Sequence, residues 1–120
     1  MFDGNSFALN DDGSIFLNCK SFEHDISIID FTKDNKWIGN GHILKSATKY
    51  EGLYKALVLG LRDYVKNNKF PGVVLGMSGG IDSALVASLA VDALGSQNVH
   101  AVMMPSPYTS NESLNDAKEA

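Results

Sequence analysis

Apolar positions along this chain change period twice. In the first thirty residues they come in short alternating runs. Asn5-Ser6-Phe7-Ala8-Leu9-Asn10 and Ser14-Ile15-Phe16-Leu17-Asn18-Cys19 predict two strands. Asn10-Asp11-Asp12-Gly13 between them is a turn in which Gly13 is free to take a positive φ. Phe22 to Phe31 alternates more loosely and ends with Ile28-Ile29, so residues 5–30 read as a β meander with no closed core of its own. Residues 32–49 are polar, with Lys33, Asp34, Asn35, Gly39, Asn40 and Gly41, and read as a linker. The period then becomes helical. Tyr50, Leu53, Tyr54, Leu57, Val58, Leu61, Tyr64 and Val65 fall on one stripe, and Lys55, Arg62, Asp63 and Lys66 lie off it. This predicts a helix over 50–68 with its stripe in a core, stopped by Asn67-Asn68 and Pro71-Gly72.

After residue 70 the apolar residues come in unbroken runs. Val73 to Met77 predicts a buried strand, and Asp82 to Leu94 a helix with Gly95 as its C′ residue. Val99-His100-Ala101-Val102-Met103-Met104 predicts a second buried strand, with His100 a structural residue in it. Strand, helix, strand in this order make a βαβ unit, so the fold class is α/β with a parallel sheet. Pro105-Ser106-Pro107-Tyr108 ends the second strand, and Thr109-Ser110-Asn111-Glu112 fits a capping box with Thr109 as N-cap of a third helix. A parallel sheet needs helices on both faces and more than two strands to be buried. The final residues, Asp116 to Ala120, are still in a helical pattern. The expectation is therefore a piece of a longer protein, with the 50–65 stripe and the strand faces partly exposed in this chain alone.

Composition narrows the field only modestly. With 120 residues, 44% hydrophobic and 20% charged, the chain is ordinary for a globular protein. A net charge of −4 with no block of basic residues argues against a nucleic-acid partner. No apolar run approaches a membrane span, and the N-terminus lacks the basic and apolar regions of a signal peptide. Cys19 stands alone, which suits a reducing compartment, so the cytoplasm is the expected location. Cys19 reads as a small packed residue. His24, His42 and His100 have no metal-ligand spacing.

The candidate chemistry lies in Gly76-Met77-Ser78-Gly79-Gly80-Ile81-Asp82-Ser83. A strand, a glycine turn and a helix start create an anion site, because the free N–H groups and the helix dipole both favour negative charge. Gly79 and Gly80 can take positive φ and admit a phosphate to the backbone. Ser78 and Ser83 add hydroxyl donors. Asp82 would repel phosphate unless a cation lies between them. The plain alternative is that Asp82 or Ser83 caps a helix after a glycine turn. The run lacks the lysine of a Walker A loop.

Ser78-Gly79-Gly80-Ile81-Asp82-Ser83 resembles the PP-loop, SGGxDS, of the N-type ATP pyrophosphatases. The longer strings from Phe70 to Ala84 and from Met103 to Ser113 are similar to NAD synthetases, the second to the glutamine-dependent, two-domain form. Glu51 to Tyr64 is similar to the helix that opens their synthetase domain. Asp3-Gly4-Asn5-Ser6-Phe7 with Asp11-Asp12-Gly13 resembles the last strands of a nitrilase-type glutaminase. The resemblance implies a tail of a nitrilase-like domain over 1–31, a linker over 32–49, and the start of a synthetase domain over 50–120. That domain would be a doubly wound, Rossmann-like parallel sheet of the adenine nucleotide alpha hydrolase type.

The same resemblance implies a ligase that adenylates the nicotinate carboxylate of deamido-NAD with ATP, releases pyrophosphate, and lets ammonia from glutamine displace AMP. Gly76 to Ser83 would be the ATP-binding segment, and Asp82 the magnesium ligand. Tyr108, Thr109 and Ser110 follow a parallel strand's carboxyl end, where open α/β sheets bind ligands, and are candidate nucleotide contacts. The whole protein would be a homo-oligomer. The family's Cys-Glu-Lys glutaminase triad has no match here, and no catalytic residue is assigned in this chain. Rival readings are another PP-loop enzyme, such as GMP synthetase, asparagine synthetase or a tRNA-thiolating enzyme, and a non-catalytic nucleotide-binding module. A binding-only module has no need of Asp82.

Overall fold

The computed structural model describes residues 3–34, 36–39, 41–105, 107 and 109–119. The chain divides into two compact units, Met1–Ala56 and Leu57–Ala120.

In the first unit, β1 (Phe7–Leu9) pairs antiparallel with β2 (Ile15–Asn18), with a bulge between Ala8 and Leu9. The turn between them is the expected one. Gly13 has φ 80, and the Asp12 carboxylate accepts bonds from the Ser14 hydroxyl and N–H. Those bonds hold the Asp12 carboxyl below its usual pKa, the side-chain bond from Ser14 contributing most. Ala8 and Leu17, which face each other in the register, are both buried. Asn18 is buried too, and its amide is satisfied. Its Nδ2 donates to the Leu44 carbonyl at 3.3 Å, and its Oδ1 accepts from the Leu44 N–H at 2.7 Å. Cys19 lies just past β2, with its Sγ 3.7 Å from the Ser27 hydroxyl, as a packed residue would.

Two expectations change here. Residues 22–29 form no strand, and Ile26 and Ile28 are almost fully exposed. The stretch read as linker contains β4 (Trp37–Ile38), which pairs antiparallel with β3 (Asp30–Phe31). The hairpin is held by Trp37, whose ring meets those of Phe31 and Phe16 and whose indole N–H bonds to the Leu9 carbonyl.

Helix α1 (Lys49–Asn67) opens with a capping box over Thr48-Lys49-Tyr50-Glu51. The Thr48 hydroxyl accepts from the Glu51 N–H at 3.3 Å. The Lys55 ammonium, by hydrogen bond and then by charge, and the Thr48 N–H lower the pKa of the Glu51 carboxyl. The helix ends in a Schellman turn. The Phe70 N–H reaches the Val65 carbonyl and the Lys69 N–H the Lys66 carbonyl, at 3.0 Å each. Lys69 takes the left-handed φ of 57 that glycine usually supplies, and the Tyr64 and Phe70 rings meet at 6.0 Å across the turn.

In the second unit, β5 (Val73–Met77), α2 (Ile81–Leu94) and β6 (Val99–Met103) form the expected βαβ unit. The strands are parallel, in register from Val73 opposite Val99 to Met77 opposite Met103. Gly95, at φ 83, ends α2 and returns its N–H to the Val91 carbonyl. A 3-10 turn over Ser96–Asn98 leads into β6, and α3 (Asn111–Glu119) follows. Among the described residues of this unit, Met77, Ala90, Ala93 and Val65 are buried.

The burial expected of the α1 stripe and of β6 is not reached among the described residues. Tyr50, Leu53, Leu57 and Tyr64 are exposed, and so are His100 and Val102 in β6. Two strands with one crossover helix cover too little of one another. The partial exposure expected for an incomplete sheet is what the structure shows.

Candidate functional site

Strand β5 ends at Met77 and α2 begins at Ile81, so Ser78-Gly79-Gly80 is the whole connection. Gly76 and Met77 belong to the strand itself. Gly76 lies opposite Val102 under the Met104 side chain, and Met77 is buried. The loop proper is therefore Ser78 to Ser83, at the carboxyl edge of the parallel pair and the N-terminus of a 14-residue helix.

The two glycines play different parts. Gly79 has φ 80, and a Cβ on it would collide with the Ser113 carbonyl in the first turn of α3. Gly80 has φ −87 and ψ 155, an extended N-cap open to any residue, and a Cβ there would meet nothing closer than the Ser78 hydroxyl at 3.4 Å. Only Gly79 uses the freedom that was expected of both.

The serines hold the loop. The Ser83 hydroxyl donates to the Gly80 carbonyl at 2.8 Å, and its oxygen faces the Ser78 N–H at 3.4 Å. The two hydroxyls lie 3.2 Å apart, and the Ser78 hydroxyl accepts from the Gly80 N–H at 3.3 Å. Asp82 lies inside the helix, in its first turn, and is exposed. No side chain caps Gly80's helix, so the capping alternative for Asp82 is set aside. A carboxylate in a first helical turn is favoured by the dipole, and here it lies next to the loop that would take phosphate.

Beyond β6 the expectation needs one correction. The N-cap of α3 is Ser110, whose hydroxyl accepts from the Ser113 N–H at 3.1 Å and lies 3.0 Å from the Ser113 hydroxyl. The helix starts at Asn111, so the cap lies one residue beyond Thr109, and Ser113 rather than Glu112 stands at N3. Serine caps a helix at least as well as threonine, which is why the sequence allowed either. Tyr108, the third candidate nucleotide contact, lies outside the described residues. Thr109 lines a cleft of about 120 Å³ with Met77, Ser78, Met103, Met104, Pro105, Ser113, Leu114 and Ala117. That is below the roughly 300–1,000 Å³ of a small-molecule pocket, and suits one group of a ligand.

Arg62 is the residue whose part could not be read from the pattern. It lies off the apolar stripe of α1. Its Nε donates to the Ala93 carbonyl at 3.1 Å and its guanidinium to the Asp92 carbonyl at 3.3 Å. A cation on the C-terminal carbonyls of α2 satisfies groups that helix ends leave open, and complements the dipole. It anchors the helix whose other end is the loop. Among the described residues no cluster of three or more histidine, cysteine, aspartate or glutamate side chains could hold a metal ion.

A parallel strand, a glycine loop and a helix N-terminus, with an adjacent carboxylate and a lining of hydroxyls, make an α/β unit of a kind whose helix start favours an anion. The comparisons with known proteins say which kind. The profile of the family described as NAD synthase matches residues 53–120, and the chain belongs to that family. It is 48% identical over 121 residues to the glutamine-dependent NAD(+) synthetase of Rhodobacter capsulatus, covering 99% of this chain and 22% of that protein. A solved structure of the glutamine-dependent NAD+ synthetase from Acinetobacter baumannii, in complex with adenosine diphosphate, superposes with TM-score 0.89 and 46% identity. That match covers 98% of this chain and 22% of the solved one. The NH3-dependent NAD synthetase from Campylobacter jejuni, in complex with nitrate, matches 60% of this chain at 40% identity, with TM-score 0.55. The chain thus spans about a fifth of the length of its glutamine-dependent relatives. Its fold is the α/β class expected from the sequence, the start of a synthetase domain.

Proposed function

We propose that this chain is the ATP-phosphate-binding part of a glutamine-dependent NAD synthetase, which converts deamido-NAD to NAD. The observation that supports it most is the loop Ser78–Ser83 on a parallel βαβ unit, in a chain that superposes on an ADP-bound synthetase. In the proposed reaction the nicotinate carboxylate attacks the α-phosphorus of ATP and pyrophosphate leaves. Ammonia derived from glutamine then attacks the acyl carbon of the adenylate, and AMP leaves. The loop's part is to hold the pyrophosphate end in place. The N–H groups at the start of α2 face the developing charge, and the Ser78 hydroxyl offers a proton donor beside them. Thr109 and the 120 Å³ cleft would seat an edge of the nucleotide at the strand ends. Gly76 and Met77 set the strand from which the loop springs, and Ile81 starts the helix.

Asp82 is the proposed magnesium ligand. An exposed carboxylate in the first turn of α2 suits magnesium, which takes one or two carboxylates together with substrate phosphates. When bound, the ion would offset charge on the phosphates. In the same proposal, residues 1–31 end a nitrilase-like glutaminase domain, 32–49 link it, and 50–120 open the synthetase domain. The whole protein is a cytoplasmic homo-oligomer that takes small-molecule substrates and no nucleic acid. No helix among the described residues is long and apolar enough to cross a membrane.

The test uses the whole protein with magnesium-ATP, deamido-NAD and either glutamine or ammonia. NAD, AMP and pyrophosphate should appear in equal amounts, and replacing deamido-NAD with xanthosine monophosphate or aspartate should give none. Pyrophosphate release that ignores deamido-NAD would overturn the assignment.

A further inference from the structure

Asn18, at the end of β2, is a buried polar residue for which the proposed chemistry has no use. Its backbone N–H donates to the His42 carbonyl at 3.1 Å, whereas the N–H of Cys19 turns the other way, to the Ser6 carbonyl at 2.8 Å on the β1 side. The Asn18 side chain then extends the first of these contacts. Its Oδ1 accepts the Leu44 N–H at 2.7 Å and its Nδ2 donates to the Leu44 carbonyl at 3.3 Å. A side-chain amide has the donor and acceptor of a peptide group, so one Asn can satisfy both backbone groups of a facing residue. Residues 42–44 therefore lie along the edge of β2 that β1 leaves open, and cover it. Gly41 admits them, because a Cβ there would collide with the Phe16 carbonyl and ring. Four residues after Leu44 the chain reaches Thr48, which takes the Glu51 N–H on its hydroxyl at 3.3 Å and the Gly52 N–H on its carbonyl at 2.8 Å. The segment over 41–48 is thus fastened to β2 at one end and to the first turn of α1 at the other.

We infer that Asn18 is a positioning residue, whose amide stands in for a strand's peptide group and makes the connection into α1 a fastened strap rather than a free tether. The strap itself rests on bonds within the chain, and its consequence for the reaction rests on the function proposed above. In that reaction each NAD needs one ammonia from one glutamine. A loose connection adds conformations in which glutamine is hydrolysed and its ammonia is lost to water. Freeing the strap should raise the glutamate formed per NAD and leave synthesis from free ammonia as it was.

Two variants of the whole protein test this from opposite sides. Asn18→Leu removes the amide at similar volume, and Gly41→Ala pushes the strap off β2 while leaving Asn18 in place. Each should speed amide exchange in the peptide holding residues 41–48 by about tenfold, as loss of one good hydrogen bond implies, with exchange over β5, α2 and β6 unchanged. With glutamine, the ratio of glutamate to NAD should rise above that of the wild type in both variants, and the rate of NAD formation from saturating ammonia should match it. Unchanged exchange over 41–48 in both variants would overturn the strap. Equal losses of glutamine-driven and ammonia-driven synthesis with an unchanged ratio would make Asn18 a residue of the fold alone and overturn its positioning role. A loosened strap with a wild-type ratio would overturn that role too. If Asn18→Leu does not fold, Gly41→Ala decides alone. If the wild type makes no NAD, the function proposed above falls, and the exchange still decides the strap.

Discussion

Gly79 and Gly80 are neighbours under different constraints, and a pair of alanine substitutions separates them. Ala at 79 would carry a Cβ at φ 80 into the Ser113 carbonyl, so both its own backbone and the first turn of α3 must shift. The cost of such strain is about 1–3 kcal/mol. Ala at 80 sits at φ −87 in open space and should cost well under about 1 kcal/mol. Gly79→Ala should therefore lower the melting temperature and loosen α3, and Gly80→Ala should do neither. Equal melting temperatures for the two variants would contradict the loop geometry. The sequence shows two adjacent glycines but not which one is strained. That depends on where α3 passes, and nothing within the loop encodes it. The shift of the α3 cap from Thr109 to Ser110 is the same kind of miss, since two adjacent residues can both cap and packing chooses between them.

At the scale of elements, α1, β5, α2 and β6 were legible because each has a long, consistent apolar pattern and an identifiable stop. The short hairpin of β3 and β4 was not. It contains two residues per strand, too few for a period, and its stability comes from the Trp37 ring against Phe31 and Phe16. The end of α1 falls at Asn67, one residue before the expected Asn68, and the left-handed residue that ends it is Lys69, which no glycine marks. The docking of α1 on α2 was invisible because Arg62 looked like any charged residue off the stripe. Removing that side chain in Arg62→Ala leaves the Ala93 and Asp92 carbonyls to water at the end of α2. The expected loss is about 1–2 kcal/mol, the two bonds being charge-assisted but partly solvated. Arg62→Lys should recover only part of it, since one ammonium does not reproduce the guanidinium fork. Urea melts of the three proteins check this. An alanine variant as stable as wild type would mean that the contact is idle.

Over the whole molecule, the apolar surface is unusually open. Val74, Ile81, Met104 and the α1 face of Tyr50, Leu53, Leu57 and Tyr64 are all exposed. Helix α2 is apolar around much of its circumference, as a helix covered on several sides would be. The isolated 120-residue chain should consequently self-associate and bind a hydrophobic dye, and the whole protein should do so much less. A monomeric isolated chain that binds no dye and melts cooperatively would refute this. The central claim is that the loop holds the phosphates of ATP, with Asp82 acting on them rather than on the fold. Asp82→Asn keeps the size of the side chain, removes its charge and touches no cap, so folding should change by about 0.5 kcal/mol or less. The most direct measurement is deamido-NAD-dependent pyrophosphate release by the whole protein and its Asp82→Asn variant, with the melting temperature of each recorded alongside. The account predicts a fall in kcat of about a hundredfold or more at a nearly unchanged melting temperature. Near-normal turnover by the variant would contradict it.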